Sequence, residues 1–294
     1  MNEQHKQPIL ITGATGTLGN AFAMVCDMRG INYRLSSRQE MDIANVESVE
    51  KFLEDVQPAV MVNTAGYSDI DAAEKNSRAC YRENTLGNII LADACKRRGI
   101  RYVTFSCDLV FDGRKRAPYL ESDAFGPLSI YGRSKVRAER CVTQILSDAL
   151  VVRTSGLFSN WDGKNFLAVM EKEILRGNLF YTADDMIVSP SYAPDVVNAT
   201  LDLLQEGASG IYHLTNQGEI SWYDFALLAA AHRGLETKSI LPRPLKDFLL
   251  AAERPAYSAL GSEKIASMPT LDDALRRYAK EQELLELSAR AVAA

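Results

Sequence analysis

Long apolar runs are missing from this 294-residue chain. No stretch approaches the roughly 20 apolar residues that a membrane-spanning helix needs. Met1 to Pro8 is polar, without the apolar core of a secretion signal, so the cytoplasm is the expected compartment. Cysteine is also scarce: Cys26, Cys80, Cys95, Cys107 and Cys141 are five, an odd number without close CxxC spacing. That pattern excludes a disulfide framework and a zinc knuckle and leaves reduced thiols. The three histidines, His5, His213 and His232, have no metal-ligand spacing, and His213 reads as a core histidine in a strand. Basic charge is outweighed, 33 Lys and Arg against 38 Asp and Glu for a net −5. This speaks against a nucleic-acid partner or an anionic membrane surface, while a local pocket for a small anion stays open. Internal repeats and low-complexity linkers are absent.

What is present is the composition of an ordinary soluble globule, 47% hydrophobic and 24% charged. Pro8 to Thr12 is a short buried-strand run. It is followed by Gly13-x-x-Gly16-x-x-Gly19 and then by a helical pattern through Leu18, Phe22, Val25 and Met28 that Gly30 stops. Asn32 to Ser36, Ala59 to Asn63, Tyr102 to Ser106 and Leu150 to Arg153 read as further strands. Helices are expected over Val46 to Val56, over a long stretch ending near Gly99, and over Tyr131 to Leu146. Such alternation predicts an α/β fold of Rossmann type, a doubly wound parallel sheet. Residues 1–154 would form its core. Beyond residue 154 the rhythm loosens into proline-punctuated loops, and residues 155–280 are expected to form a small substrate lobe, with segments that can return to the core. Ser221 reads as the N-cap of a helix running to Ala231. Residues 281–294 read as a helical tail.

A glycine loop between a strand and a helix is where backbone amides and a helix N-terminus meet a pyrophosphate. Gly13, Gly16, Thr17, Leu18 and Gly19 are therefore candidate cofactor contacts. The second strand ends in Ser36-Ser37-Arg38, without the acidic residue that accepts from the ribose hydroxyls of an unphosphorylated dinucleotide. Ser37 and Arg38 suit a 2′-phosphate instead, so NADPH is expected, with NADH permitted. Asp42 and Ile43 could cover the adenine. Asn63, Ala65, Gly66 and Tyr67, at the end of the third strand, could line the cofactor's path. Tyr131 and Lys135, four positions apart, share one helix face, so the ammonium is expected near the phenol and to favour its ionised form.

Together these residues resemble the extended short-chain dehydrogenase/reductases, and within them the dTDP-4-dehydrorhamnose reductase branch. The matching segments run in family order: Ile11 to Gly19, Asn63 to Tyr67 with Asp71 and Glu74, Val110 to Gly113, Tyr119-x-Glu121-x-Asp123, Pro127, and Tyr131-Gly132-x-Ser134-Lys135. Pro190-x-Tyr192-x-x-Asp195, Gly210 to Leu214 and Arg254-Pro255-x-x-Ser258-x-Leu260 complete the string. The resemblance implies that reduced nicotinamide delivers hydride to a sugar C4 ketone, with Tyr131 as proton donor and Lys135 holding the nicotinamide ribose. The substrate would be a nucleotide-linked 4-keto-6-deoxysugar, dTDP-4-dehydrorhamnose, serving polysaccharide biosynthesis.

Ser106-Cys107-Asp108 stands where the family has Ser-Thr-Asp, which puts a weaker thiol donor beside the carbonyl and makes Ser106 an alternative. Gly156 stands where the family carries a tryptophan against the substrate; Trp161 is near in sequence. Asp108 lies in the same substrate region, and Asn165 and Arg254 are candidate contacts to sugar and diphosphate. Leu109 replaces the glutamate of the superfamily's dehydratases, which argues against dehydration. The resemblance also allows a homodimer and Mg2+, without assignable ligands. Two alternatives follow from Cys107 and Gly156. One is a non-catalytic NADP-binding subunit similar to the regulatory β subunit of methionine adenosyltransferase; the other is a reductase of a different nucleotide sugar.

Overall fold

The computed structural model describes residues 7–266 and 268–293. Met1 to Lys6, with His5, and Ala294 lie outside the described residues. The first half alternates strand and helix: β1 (Ile9–Thr12), α1 (Thr17–Arg29), β2 (Tyr33–Ser36), α2 (Val46–Val56) and β3 (Val60–Asn63). It continues through α3 (Ile70–Lys75), α4 (Ser77–Tyr81), a π-turn (Arg82–Leu86), α5 (Gly87–Arg98), β4 (Arg101–Cys107), α6 (Ile130–Ile145) and β5 (Leu150–Thr154). The second half is made of β6 (Leu157–Phe158), α7 (Phe166–Leu175), β7 (Phe180–Ala183), β8 (Ile187–Val188), β9 (Ser191–Tyr192), α8 (Ala193–Gln205) and β10 (Gly210–His213). Then come β11 (Ile220–Ser221), α9 (Trp222–His232), β12 (Ile240–Arg243) and α10 (Leu271–Ala293).

Six strands pair in the order β10-β5-β4-β3-β1-β2, all parallel. The central strands are apolar on both sides because side chains alternate across a strand and helices cover both faces. Ile11, Val62, Val103 and Val152 face α1 and α8, packing with Phe22, Val25, Val196 and Val197. Their neighbours Leu10, Met61, Tyr102 and Val151 face α2 and α5, packing with Val49, Leu53 and Leu91. The direction of strand succession reverses between β1 and β3. There the flanking connections leave to opposite faces and open a crevice at the carboxyl ends of the strands.

The doubly wound parallel sheet is the expected one, and Gly30 ends α1 in the left-handed region at φ 63°. Ser221 caps α9 through the Asp224 amide. The long helix expected before Gly99 is instead broken at Asn76 and swollen by the π-turn. Past residue 154, β10 and α8 return to the sheet. The remaining second half has its own core of Phe158, Tyr192, Phe225, Leu271, Leu275 and Tyr278. The stretch from Glu281 continues α10 without a break, its buried start anchored in that core.

Candidate functional site

A cavity of about 690 Å3 opens at the switch point. The glycine loop forms its floor. Gly13 has φ +78°, and a Cβ there would lie 2.7 Å from Thr64 Oγ1, so only glycine lets β1 turn this close to β3. Gly16 precedes α1 in extended conformation with no side-chain cap, leaving the amides of the first turn without a side-chain acceptor at the helix's positive end. Gly19 serves packing instead, since its Cβ would be 2.2 Å from the Gly13 carbonyl oxygen. Gly13, Gly16, Thr17 and Leu18 line the cavity; Gly19 does not.

At one end the lining is Ser36, Ser37, Arg38, Met41, Ile43, Ala65, Gly66 and Tyr67. Arg38 is paired with Glu83 at 2.6 Å, and Glu83 itself lines the cavity. Ser37 donates through both its amide and its hydroxyl to Glu40, each at 2.9 Å. Asp42 is not among the lining residues. Its carboxylate takes a hydrogen bond from Arg82 at 2.6 Å, which holds its pKa below the ordinary carboxylate value, and another from the Ala44 amide. Asn63 is likewise spent inside the fold, accepting from Thr12 Oγ1 and donating to Asn88.

The opposite end is built by α6. Ser129 caps it through the Gly132 amide, and Gly132 lets the helix touch the 108–110 turn, where a Cβ would be 2.3 Å from the Leu109 oxygen. This approach delivers Tyr131 and Lys135 to the cavity beside Ser106, Cys107 and Asp108. Lys135 Nζ donates to the Phe105 carbonyl at 3.1 Å and lies 5.7 Å from the Tyr131 ring centroid. The net shift runs against the lowering expected from it: burial, then Cys107 and Asp108, raises Tyr131 well above its ordinary value of 10. Burial pushes Lys135 down. Burial also pushes the Cys107 thiol up to about 12 and Asp108 up to about 6, the latter despite hydrogen bonds from Ser258 and Ser155.

Asn165 and Arg254 do not line the cavity. Asn165 caps α7, accepting from the Leu167 and Ala168 amides and donating to the Ser159 and Asp162 carbonyls. Arg254 is a strut to Asp71 at 2.7 Å and to the Ala252 carbonyl at 2.8 Å. Gly156 does line it, but the ring against it is Trp222, 2.9 Å from where its Cβ would be. Trp161 instead donates to the Thr17 carbonyl at 3.1 Å. Sequence reasoning missed Glu83, Thr154, Ser155, Asp162 and Lys164, all in the lining. A charged residue inside a helix, or a hydroxyl at a strand end, carries no local signal of the direction it faces.

A dinucleotide fits these residues. The glycine cradle and the uncapped α1 suit a pyrophosphate, and the hydroxyls of Ser36, Ser106 and Thr154 are buried, without a protein hydrogen-bond partner, on residues that line the cavity. Among the described residues no group of three or more His, Cys, Asp or Glu is arranged to hold a metal ion.

Residues 7–283 match the model of the RmlD substrate binding domain. The chain is 33% identical over 278 residues to the spore coat polysaccharide biosynthesis protein SpsK of Bacillus subtilis, covering 93% of this chain and 97% of that one. It is 34% identical to a dTDP-4-dehydrorhamnose reductase of Burkholderia thailandensis, covering 87% and 91%. Among solved structures, dTDP-4-dehydrorhamnose reductase from Bacillus anthracis in complex with NADP superposes with a TM-score of 0.90 at 28% identity, over 94% of this chain and 99% of that one. A Clostridium acetobutylicum dTDP-4-dehydrorhamnose reductase gives 0.89 at 30%, over 94% and 100%. With a family model spanning nearly its whole length and relatives matched end to end, this chain belongs to the RmlD family, the dTDP-4-dehydrorhamnose reductase branch of the extended short-chain dehydrogenase/reductases.

Proposed function

We propose that the protein is an NADPH-dependent oxidoreductase that reduces the C4 ketone of a dTDP-linked 4-keto-6-deoxysugar, converting dTDP-4-dehydrorhamnose to dTDP-rhamnose for polysaccharide synthesis. The observation that carries this reading is the meeting of Tyr131, Lys135, Ser106 and Cys107 in the lining of one cavity with the glycine cradle. Residues 1–154 hold most of the cofactor surface, and residues 155–280 close the sugar side. The expected compartment is the cytoplasm, and the family resemblance allows a homodimer.

Bound in the cavity, the reduced nicotinamide supplies the hydride for the sugar carbonyl carbon. Tyr131 gives its phenolic proton to the carbonyl oxygen as negative charge develops there. Its raised pKa suits that direction, because the phenol stays protonated through neutral pH and yields its proton only to a stronger base such as an alkoxide. Lys135, tethered to the Phe105 carbonyl, is positioned to hold the ribose hydroxyls near the phenol. Ser106 has a hydroxyl hydrogen to give the carbonyl oxygen, whereas Cys107 keeps its proton and donates weakly. Lys164 is a cation that the second half brings to the lining, and it takes over the diphosphate contact expected of Arg254.

The test is incubation of the purified protein with NADPH and a panel of nucleotide 4-ketosugars, following the absorbance of the reduced cofactor. Consumption with dTDP-4-dehydrorhamnose that Tyr131→Phe abolishes is the expected result. Binding of NADPH without turnover of any ketosugar would replace the reading with the non-catalytic subunit, and turnover of another sugar alone would move the substrate.

A further inference from the structure

The 2′ end of the cavity holds a carboxylate. Glu83 is buried but for 12% of its side chain and lines the cavity with Ser37, Arg38 and Ile43. Two guanidinium groups converge on its Oε1, Arg38 Nη2 at 2.6 Å and Arg82 Nη1 at 2.5 Å. Arg38, the cation suited to a 2′-phosphate, is thereby held by an acid within the same cavity, although its own side chain is 69% exposed.

Glu83 reaches this place by local backbone geometry. It lies in the π-turn Arg82–Leu86, and such turns recur at functional sites because the extra residue redirects the side chains around it. Gly87 follows directly. A Cβ there would lie 2.8 Å from Ile43 Cδ1, so its absence lets the turn pack onto the loop after β2.

We propose that Glu83 is a specificity-determining residue that weakens discrimination in favour of the 2′-phosphorylated dinucleotide; this rests on the dinucleotide reading of the cavity. A 2′-phosphate carries up to two negative charges, so it has to draw Arg38 away from Glu83 and settle near that carboxylate. A ribose 2′-hydroxyl instead donates to a carboxylate. Glu83 thus offsets part of what Arg38 contributes to phosphate binding and supplies an acceptor for the unphosphorylated form. The second strand lacks an acidic terminus, and Glu83 places one there from the opposite wall.

The experiment is calorimetric titration of the full chain with NADP+ and with NAD+, which needs no turnover. Glu83→Gln is expected to raise the ratio of the NAD+ to the NADP+ dissociation constant by about tenfold, chiefly through tighter NADP+ binding. Glu83→Asp, whose shorter side chain withdraws from Arg38, is expected to move the ratio the same way by less and covers the case in which Glu83→Gln fails to fold. Arg38→Asp is expected to lower the ratio more in the Glu83→Gln background than in wild type. An unchanged ratio in folded Glu83 variants, or equal effects of Arg38→Asp in both backgrounds, would overturn the proposal. Wild type binding neither dinucleotide would overturn the cofactor reading itself.

Discussion

The Lys135 ammonium donates to the Phe105 carbonyl at 3.1 Å and stands 5.7 Å from the centroid of the Tyr131 ring. Lys135 is held by the backbone rather than by the phenol, and the proposed mechanism gives it the ribose and gives Tyr131 the proton transfer. Lys135→Met is therefore expected to weaken binding of the reduced dinucleotide as well as to slow turnover. Tyr131→Phe should lower kcat by about 10²–10⁴-fold with dinucleotide affinity nearly unchanged. Fluorescence titration with NADPH beside steady-state rates separates the two. Equal loss of affinity in both variants would remove the division of roles.

The proposed reduction needs a donor beside Tyr131 to polarise the carbonyl, and Ser106 and Cys107 are the two candidates. Ser106 has a buried hydroxyl without a partner, and Cys107 keeps its proton with a pKa of about 12. Ser106→Ala is expected to lower kcat by roughly tenfold or more, the scale of one lost donor to developing charge. Cys107→Thr, which adds a hydroxyl donor, should raise kcat by a few-fold. A silent Ser106→Ala together with a large gain in Cys107→Thr would mean that the donor belongs at position 107.

Gly16 and Gly19 separate binding from folding. A Cβ on Gly16 meets only the Gly13 oxygen at 3.4 Å, on a residue of the cavity lining, while a Cβ on Gly19 would be 2.2 Å from the same oxygen. Gly16→Ala should leave the unfolding free energy from urea denaturation within about 0.5 kcal/mol of wild type while weakening dinucleotide binding about tenfold or more. Gly19→Ala should destabilise by about 1–3 kcal/mol or more, because backbone must shift. The same calorimetric and denaturation measurements on both variants decide it.

Asp108 gives a pH dependence with a definite sign. Its folded pKa is raised from 3.8 to about 6, so the folded state binds the proton more tightly than the unfolded chain. Its contribution is fully present below about pH 4 and is lost as pH rises through about 6, a span worth about 3 kcal/mol at most. His213, buried and held to about 4 by burial and Arg153, acts with the opposite sign across part of this window. The difference between wild type and Asp108→Asn isolates the carboxylate. Relative to the variant, wild type should lose stability from pH 4 to pH 7 in urea denaturation, and a flat difference would contradict the burial of a titrating acid.

The alternation of strands and helices was legible because both faces of the sheet are covered, which leaves runs such as Ile9 to Ile11 and Met61 to Val62 apolar throughout. Glycines are legible where their reason is local, as at Gly13 and Gly30. The direction of a long polar side chain is set by partners distant in sequence. Arg254 and Asn165 had suitable chemistry but are taken up by Asp71 and by a helix end. Glu83 reaches the cavity from the π-turn, a feature with no local signal in the sequence. The Tyr131 shift had the wrong sign in sequence because two residues four apart reveal a neighbouring charge, whereas desolvation depends on everything packed around them.

The most direct measurement follows deuterium from NADPH labelled on its transferable position into the sugar during a single turnover with dTDP-4-dehydrorhamnose. The account predicts deuterium at C4 of the product with wild type, and the same label arriving far more slowly with Tyr131→Phe although the dinucleotide still binds. Label absent from C4, or arriving equally fast in both proteins, would contradict it.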